Sequence, residues 1–298
     1  MPVYFKTDIA KAEPSITNAR LRMLLARKEP RVIRFIARLW RRQQGDMTYQ
    51  ELRQAILTGN IDADTIERWR QDYSRLVTED LMPEWQYMMN EAGRAFQQRW
   101  PAFAFDPSTA AIAEYTARHA AEFVTNSTAQ QIDAMRSLIQ RGTSMSDMTV
   151  DQLAQAIRPT IGLYKGQAIA NLNYYNTVRT ALLANNPTMR PETAAKRAQA
   201  AAIQYAERQH RYRAQMIART ELSFAHNNGE YHAVRQAQTE GYMGQCVKEW
   251  VTADDARVCS LCKNMDGQQT PIDAPFPEGD LTPPLHPHCR CVVNYIEE

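Results

Sequence analysis

Between residues 31 and 42, basic side chains at 31, 34, 38 and 41 and apolar ones at 33, 36 and 40 both recur at helical spacing, on different faces. Residues 1–30 are mixed, basic and broken by Pro14 and Pro30, and read as an arm. Thr48-Tyr49-Gln50-Glu51 has the form of a capping box and opens a short helix ending at Gly59. Asp64-Thr65-Ile66-Glu67 opens a longer one. Its apolar stripe is Ile66, Trp69, Tyr73, Leu76 and Leu81, extended by Trp85, Met88 and Met89, with a kink or interruption expected at Pro83. These Trp and Met residues read as core rather than as a cofactor box.

The stretch from Trp100 to Pro107, with two prolines and no helical period, reads as a joint between helical parts. Beyond it the spacing predicts helices over 111–124 and 129–140, the second closing at Gly142. Thr149-Val150-Asp151-Gln152 caps another, which stops before Pro159. Helices over 163–185 and 191–240 complete the set, the last with a break expected near 210–215 or at Asn227-Asn228-Gly229. His119, His210, His226 and His232 lie on these helices without paired ligand spacing and read as surface or core-edge residues. After Gly241 the texture changes. Residues 245–252 read as a strand, 254–257 as a turn, Asp266-Gly267 as a hairpin-type turn, 271–287 as a Pro/Gly-rich loop, and 292–296 as a closing strand. The expected fold is therefore mainly α, a multi-helix body with a small C-terminal α+β module. Its segments are 1–107, 108–241 and 242–298.

Length and composition add bounds. A chain of 298 residues has material for one large or two modest domains, and 44% hydrophobic with 23% charged residues argues against global disorder. The net charge of +2 hides an N-terminal excess, since residues 1–43 hold eleven Lys/Arg against three acids. That excess suits a polyanion or an acidic protein surface. For Arg31, Arg34, Arg38, Arg41 and Arg42, a plain solvated face competes with contacts to DNA phosphates or an acidic partner. No apolar run reaches membrane-spanning length, and the N-terminus lacks the apolar core of a signal peptide. A cytosolic site of synthesis and reduced thiols are expected.

Four of the five cysteines fall between Cys259 and Cys291. Cys259-Ser260-Leu261-Cys262 followed by His286-Pro287-His288-Cys289-Arg290-Cys291 is the spacing of a zinc site, because Zn²⁺ takes four N/S ligands in a tetrahedron. Six candidates compete for four places: Cys259, Cys262, His286, His288, Cys289 and Cys291. Four cysteines are feasible, and three cysteines with His286 or His288 are the competing set. Disulfides and inert thiols are the alternatives to metal. Cys246, alternating with Lys248 and Trp250, reads as a buried small hydrophobe. No His is followed two residues later by Glu, and H-E-x-x-H is absent, so zinc-deaminase and zincin chemistry are not indicated. Nor is there a P-loop, a dinucleotide-binding, a G-x-S-x-G or a kinase motif. One enzymatic alternative stands, a structural-zinc DNA nuclease of the His/Asn metal-finger type. In it His286 or His288 would be the base beside a hard metal on Asp266 or Asp280.

Ile217-Ala218-Arg219-Thr220-Glu221 and Ala225-His226-Asn227-Asn228-Gly229 lead into Trp250 to Cys262, Asp266-Gly267, Phe276 and Pro283-Pro284-Leu285-His286-Pro287-His288-Cys289-Arg290-Cys291. Over roughly residues 130–296 this order resembles the phage Mu protein F-like family of minor head, or head-morphogenesis, proteins. The resemblance implies a non-enzymatic virion component, made in the bacterial cytoplasm, acting in few copies near the portal vertex of the phage head. Portal, scaffold or major capsid protein would be its partners and double-stranded DNA a candidate. No small-molecule substrate and no membrane span are expected. It further implies structural Zn²⁺ on Cys259, Cys262, His286, Cys289 and Cys291, with His288 disfavoured. Effector domains fused after the module in some members are not expected here. Arg219, Thr220 and Glu221 match the family's R-T-E element. Two apart on a helix, Arg219 and Glu221 do not face each other. Arg219 is expected to pin the module through Asp254 or Asp255.

Overall fold

The computed structural model describes residues 16–145, 148–253 and 255–297. It holds helices α1 (Ile16–Asp46), α2 (Tyr49–Thr58), α3 (Ala63–Arg75), α4 (Met82–Arg99), α5 (Ala110–Thr143), α6 (Val150–Ile157), α7 (Lys165–Asn185), α8 (Pro191–Thr239) and α9 (Ser260–Met265). Strands β1 (Cys246–Val251), β2 (Gln269–Pro271) and β3 (Val292–Glu297) form an antiparallel sheet in the order β2-β1-β3. The protein is mainly helical, with one small sheet near its C-terminus.

Local chemistry placed several of these elements as expected. The capping boxes at Thr48 and Thr149 are formed, with Glu51 and Gln152 reaching back to the cap backbone. Elsewhere packing overrode the local pattern. Residues 16–30 of the expected arm are helical, and Pro30 lies inside α1; its residues 1–15, with Lys6, Lys11 and Pro14, lie outside the described residues. Buried Leu21, Leu24, Leu25, Val32, Ile36 and Leu39 continue at helical spacing across Pro30. Burying that stripe outweighs the one hydrogen bond a proline cannot donate. The cap of α3 is Asp62, whose carboxylate accepts from the Thr65 amide, two residues ahead of the expected start. The interruption expected at Pro83 takes the form of a change of helix type rather than an end. A π-helical segment, Leu76–Leu81, precedes Pro83 and leads directly into α4.

The two helices expected over 111–140 are one, α5. One face of its polar middle, Ser127, Thr128 and Gln131, is buried, and Gln131 Oε1 accepts from the Tyr73 hydroxyl at 2.8 Å. The break expected in 191–240 is also absent. Asn227 and Asn228 return their side-chain amides to the carbonyls of Ser223 and Phe224, four residues back, both at 2.9 Å. These bonds satisfy both side-chain amides without opening the helix.

By spatial contact the chain divides into two units that cut across the sequence segments. One comprises residues 30–83 and 108–216. Its α5 packs on α3 and α7, and α2 packs on α6, around Leu52, Trp69, Met135, Leu138, Leu153, Ile157 and Leu172. The other comprises residues 1–29, 84–107 and 217–298. It holds the sheet and two apolar clusters. Phe103, Val234, Met243 and Cys246 belong to one, while Trp250, Met265, Phe276 and Val293 pack with Cys262, Cys289 and Cys291 in the other. Cys246 is a buried small side chain, as its alternation predicts.

Candidate metal centre

β1 alternates buried and half-buried positions and directs Cys246, Lys248 and Trp250 inward. The Lys248 ammonium donates to the Leu281 carbonyl at 2.7 Å and lies 5.0 Å from the centre of the Phe276 ring. Burial lowers its pKa to about 8. The Trp250 and Phe276 rings meet edge to face at 5.1 Å. This small core carries the chain to the first thiol pair.

The expected turn is present over its described residues 255–257, where the Val258 amide bonds back to the Asp255 carbonyl at 3.1 Å, and it leads into the short helix α9, with Cys259 as its N-cap. The Cys259 sulfur accepts from the Cys262 amide at 3.5 Å. One helical turn thus presents both sulfurs on one side. Asp266-Gly267 is not a strand-to-strand hairpin; it joins α9 to β2, with Gly267 at a φ of 74° that suits glycine. The second group of donors lies on the segment before β3. There the Cys289 amide bonds back to the His286 carbonyl at 3.1 Å, and His288 takes a left-handed φ of 66°.

The donor atoms converge as two overlapping sets. Cys259, Cys262 and His286 have their ligand atoms within 4.8 Å of one another, and so do Cys262, Cys289 and Cys291. His286 Nε2 lies 3.0 Å from the Cys259 sulfur and 3.1 Å from that of Cys262. Its Nδ1 donates to the Pro287 carbonyl at 2.8 Å, leaving the Nε2 lone pair facing the sulfurs. The sulfurs of Cys262 and Cys289 are 3.8 Å apart. Tetrahedral zinc with Zn–S bonds of about 2.3 Å requires an S···S edge of about 3.8 Å. Soft donors, this spacing and the oriented imidazole all fit Zn²⁺. His288 belongs to neither set.

The electrostatics agree. Burial works against ionising Cys259, yet the Cys262 amide and the His286 ring hold its thiol below the ordinary value. Hydrogen bonding with Cys289 and Cys291 pushes Cys262 far up, and hydrogen bonding with Cys262 and Cys291 pulls Cys289 down. In this crowd one thiolate forms at its neighbours' expense, and only a cation lets several ionise together.

The supports of this segment come from α8 and α1. The His288 amide donates to the Thr220 hydroxyl at 3.1 Å, and the Asn227 amide to the Cys291 carbonyl at 3.2 Å. Asn18 Nδ2 donates to the Thr252 carbonyl at 2.6 Å. Arg219 does not reach Asp255. It forms a two-pronged pair with Glu29 of α1, at 2.7 and 3.0 Å. Asp255 is taken instead by Arg290, at 2.6 and 2.7 Å, which holds its carboxyl well below the usual range. Asp254 lies outside the described residues. Glu221 is buried. Sequence reasoning named the R-T-E trio but missed the roles of Asn18, Asn227 and Arg290. The alternation of Cys289-Arg290-Cys291 was the available signal for Arg290, since it puts the guanidinium opposite the thiols.

The nuclease alternative needs a carboxylate site beside the histidines. Asp266 accepts from the Thr252 amide at 2.8 Å, and neither it nor Asp280 joins a ligand set among the described residues. His226 is fully buried rather than at a core edge. Arg31, Arg34, Arg38, Arg41 and Arg42 are exposed along α1. Arg42 pairs with Asp72 at 2.7 Å. Burial raises the Asp80 pKa, and the charges of Arg38, Arg31 and Arg42 oppose that rise. The stripe is thus partly neutralised within its own unit. No helix is long and apolar enough to cross a membrane among the described residues.

Residues 130–294 match the family model described as Phage Mu protein F like protein. No curated protein and no solved structure matches the chain.

Proposed function

The chain belongs to the phage Mu protein F-like family, and from that premise we propose that it is a minor head protein of a tailed bacteriophage, acting in head morphogenesis at the portal vertex. The observation that carries this reading is the family match itself, which spans more than half of the chain, from within α5 to β3, and takes in the whole Cys/His cluster. Portal, scaffold or major capsid protein are the proposed partners. Double-stranded DNA is a candidate for the exposed arginines of α1, with the steep salt dependence that phosphate contacts give.

The C-terminal module is read as a metal-stabilised interaction surface. Cys259, Cys262 and Cys289 would hold Zn²⁺, with His286 or Cys291 as the fourth ligand. The ion would neutralise the crowded thiolates and tie α9 to the segment 286–291. The Pro287 carbonyl orients the His286 ring, and Thr220 and Asn227 fix the backbone that carries the second donor group. This is a structural job and no reaction is assigned to it.

Mass spectrometry of purified procapsids and heads, from the phage or induced prophage carrying the gene, tests the function. A few copies per particle are expected; absence from both overturns the proposal. Genes for portal, terminase and major capsid protein are expected alongside. Metal analysis tests the module. About one zinc per chain is expected, lost in Cys259→Ser, Cys262→Ser and Cys289→Ser and kept in His288→Ala. Between His286→Ala and Cys291→Ser, the variant that loses zinc identifies the fourth ligand.

A further inference from the structure

The unit built from residues 30–83 and 108–216 carries an open groove that no described element fills. One hollow, of about 510 Å³, is lined by Ile33, Ala37 and Trp40 of α1 and by Ile203, Ala206 and Ala214 of α8. A second shares Gln44, Pro159 and Ile203 with it and continues to Leu52 and Ala154. Together they follow α8 from Gln199 to Ala214, a run of about 22 Å at 1.5 Å per residue. The floor is fixed: Trp40 is buried, its indole N–H donates to the Tyr73 hydroxyl at 3.1 Å, and its ring meets His210 at 5.3 Å. The wall is open, with Ile203 40% exposed.

Two features specify the occupant. The α8 positions that line the groove, 199, 203, 206, 207, 210, 211 and 214, recur at helical spacing, which makes ridges that a second helix can fill. A helix satisfies its own backbone and can lie on apolar side chains. A β-type segment would need a sheet edge to pair with, and the groove is lined by helices. The second feature is charge. Arg41, Arg158 and Arg211 line the groove against the single acid Glu207. None of the three arginines has an ion-pair partner among the described residues, whereas Arg42, Arg68 and Arg70 each have one. We infer that this groove docks an acidic amphipathic helix of about four turns from a partner protein, its apolar stripe on Trp40, Ile203 and Ala206 and its carboxylates on the arginines. The inference does not rest on the proposed metal or on the place in the phage head.

The test uses the full chain and three fluorescein-labelled synthetic peptides of about 15 residues, a length set by the groove. One carries Leu at helical spacing flanked by Glu, the second the same Leu pattern flanked by Lys, and the third is a scramble of the first. Saturable binding of the Glu peptide is expected, with at least tenfold weaker binding of the other two. Ile203→Glu should weaken it at least tenfold, and Arg41→Glu with Arg211→Glu should shift the preference toward the Lys peptide. Ile203, Arg41 and Arg211 are exposed, so the helical circular dichroism of these variants is expected to be unchanged. No saturable binding, equal binding of the Glu and scrambled peptides, or indifference to the substitutions overturns the inference. So does self-association abolished by Ile203→Glu, which would place a second copy of the chain in the groove.

Discussion

His226 and Glu230 stand one turn apart on α8, both buried, with Nδ1 and Oε2 3.7 Å apart. Burial lowers His226 from 6.5 to about 3 and raises Glu230 from 4.5 to about 8, so both are held neutral near pH 7. The depressed histidine contributes stability present above 6.5 and lost as pH falls toward 3. The raised carboxyl contributes stability present below 4.5 and lost as pH rises toward 8. The two slopes oppose each other between 4.5 and 6.5, and from 6.5 to 8 only Glu230 acts. There, stability should fall by up to about 1.4 kcal/mol per pH unit. Glu230→Gln should flatten that limb in denaturant titrations of zinc-loaded protein. An equal slope in both proteins would refute the assignment. Neither role was legible in the sequence, because a histidine without ligand spacing looks the same on a surface and in a core. The metal donors differ: within each pair they are neighbours in the chain, so spacing alone named them. The turn at His288 and the bond from His286 to Pro287, which shape the second donor group, are visible only in the structure.

At the scale of elements, local signals placed the capping-box starts and missed the continuity of the long helices. Thr48 and Thr149 cap helices because their partners lie three residues away. The Asn227-Asn228-Gly229 stretch of α8 looked like a break because the contacts that keep it helical are tertiary. A Cβ built on Gly229 would lie 2.6 Å from the Met89 Cα and 3.0 Å from its carbonyl oxygen, so α4 packs here backbone against backbone. Gly229→Ala should therefore destabilise by about 1–3 kcal/mol, despite alanine's better helix propensity. Gly45→Ala in α1, where nothing lies within 4 Å, should instead be neutral or stabilising by up to about 1 kcal/mol. Thermal melts of the two variants check the pair. A neutral Gly229→Ala would mean that α4 and α8 can separate at little cost.

For the whole molecule, the apolar clusters differ in composition. Residues 30–83 and 108–216 enclose a broad aliphatic and aromatic core, whereas three of the seven buried members of the Trp250 cluster are cysteines. The proposed metal would stabilise so small an apolar set. Stripping zinc with a chelator should change the fluorescence and near-ultraviolet dichroism of Trp250 and open residues 246–297 to protease, with most of the helical signal kept and zinc restoring the rest. Identical proteolysis with and without chelator would argue against a structural metal. The sequence by itself determined the mainly helical class, the position of the small sheet, the metal-type donors and the family, because capping, periodicity and ligand spacing act over a few residues and are written in order along the chain. Only the tertiary structure decided that Arg219 pairs with Glu29 while Arg290 takes Asp255, that α5 and α8 run unbroken, and that α1 and α8 leave a groove rimmed by arginines. Those outcomes depend on which buried surfaces meet, and residues far apart in the chain carry no local mark of their partners.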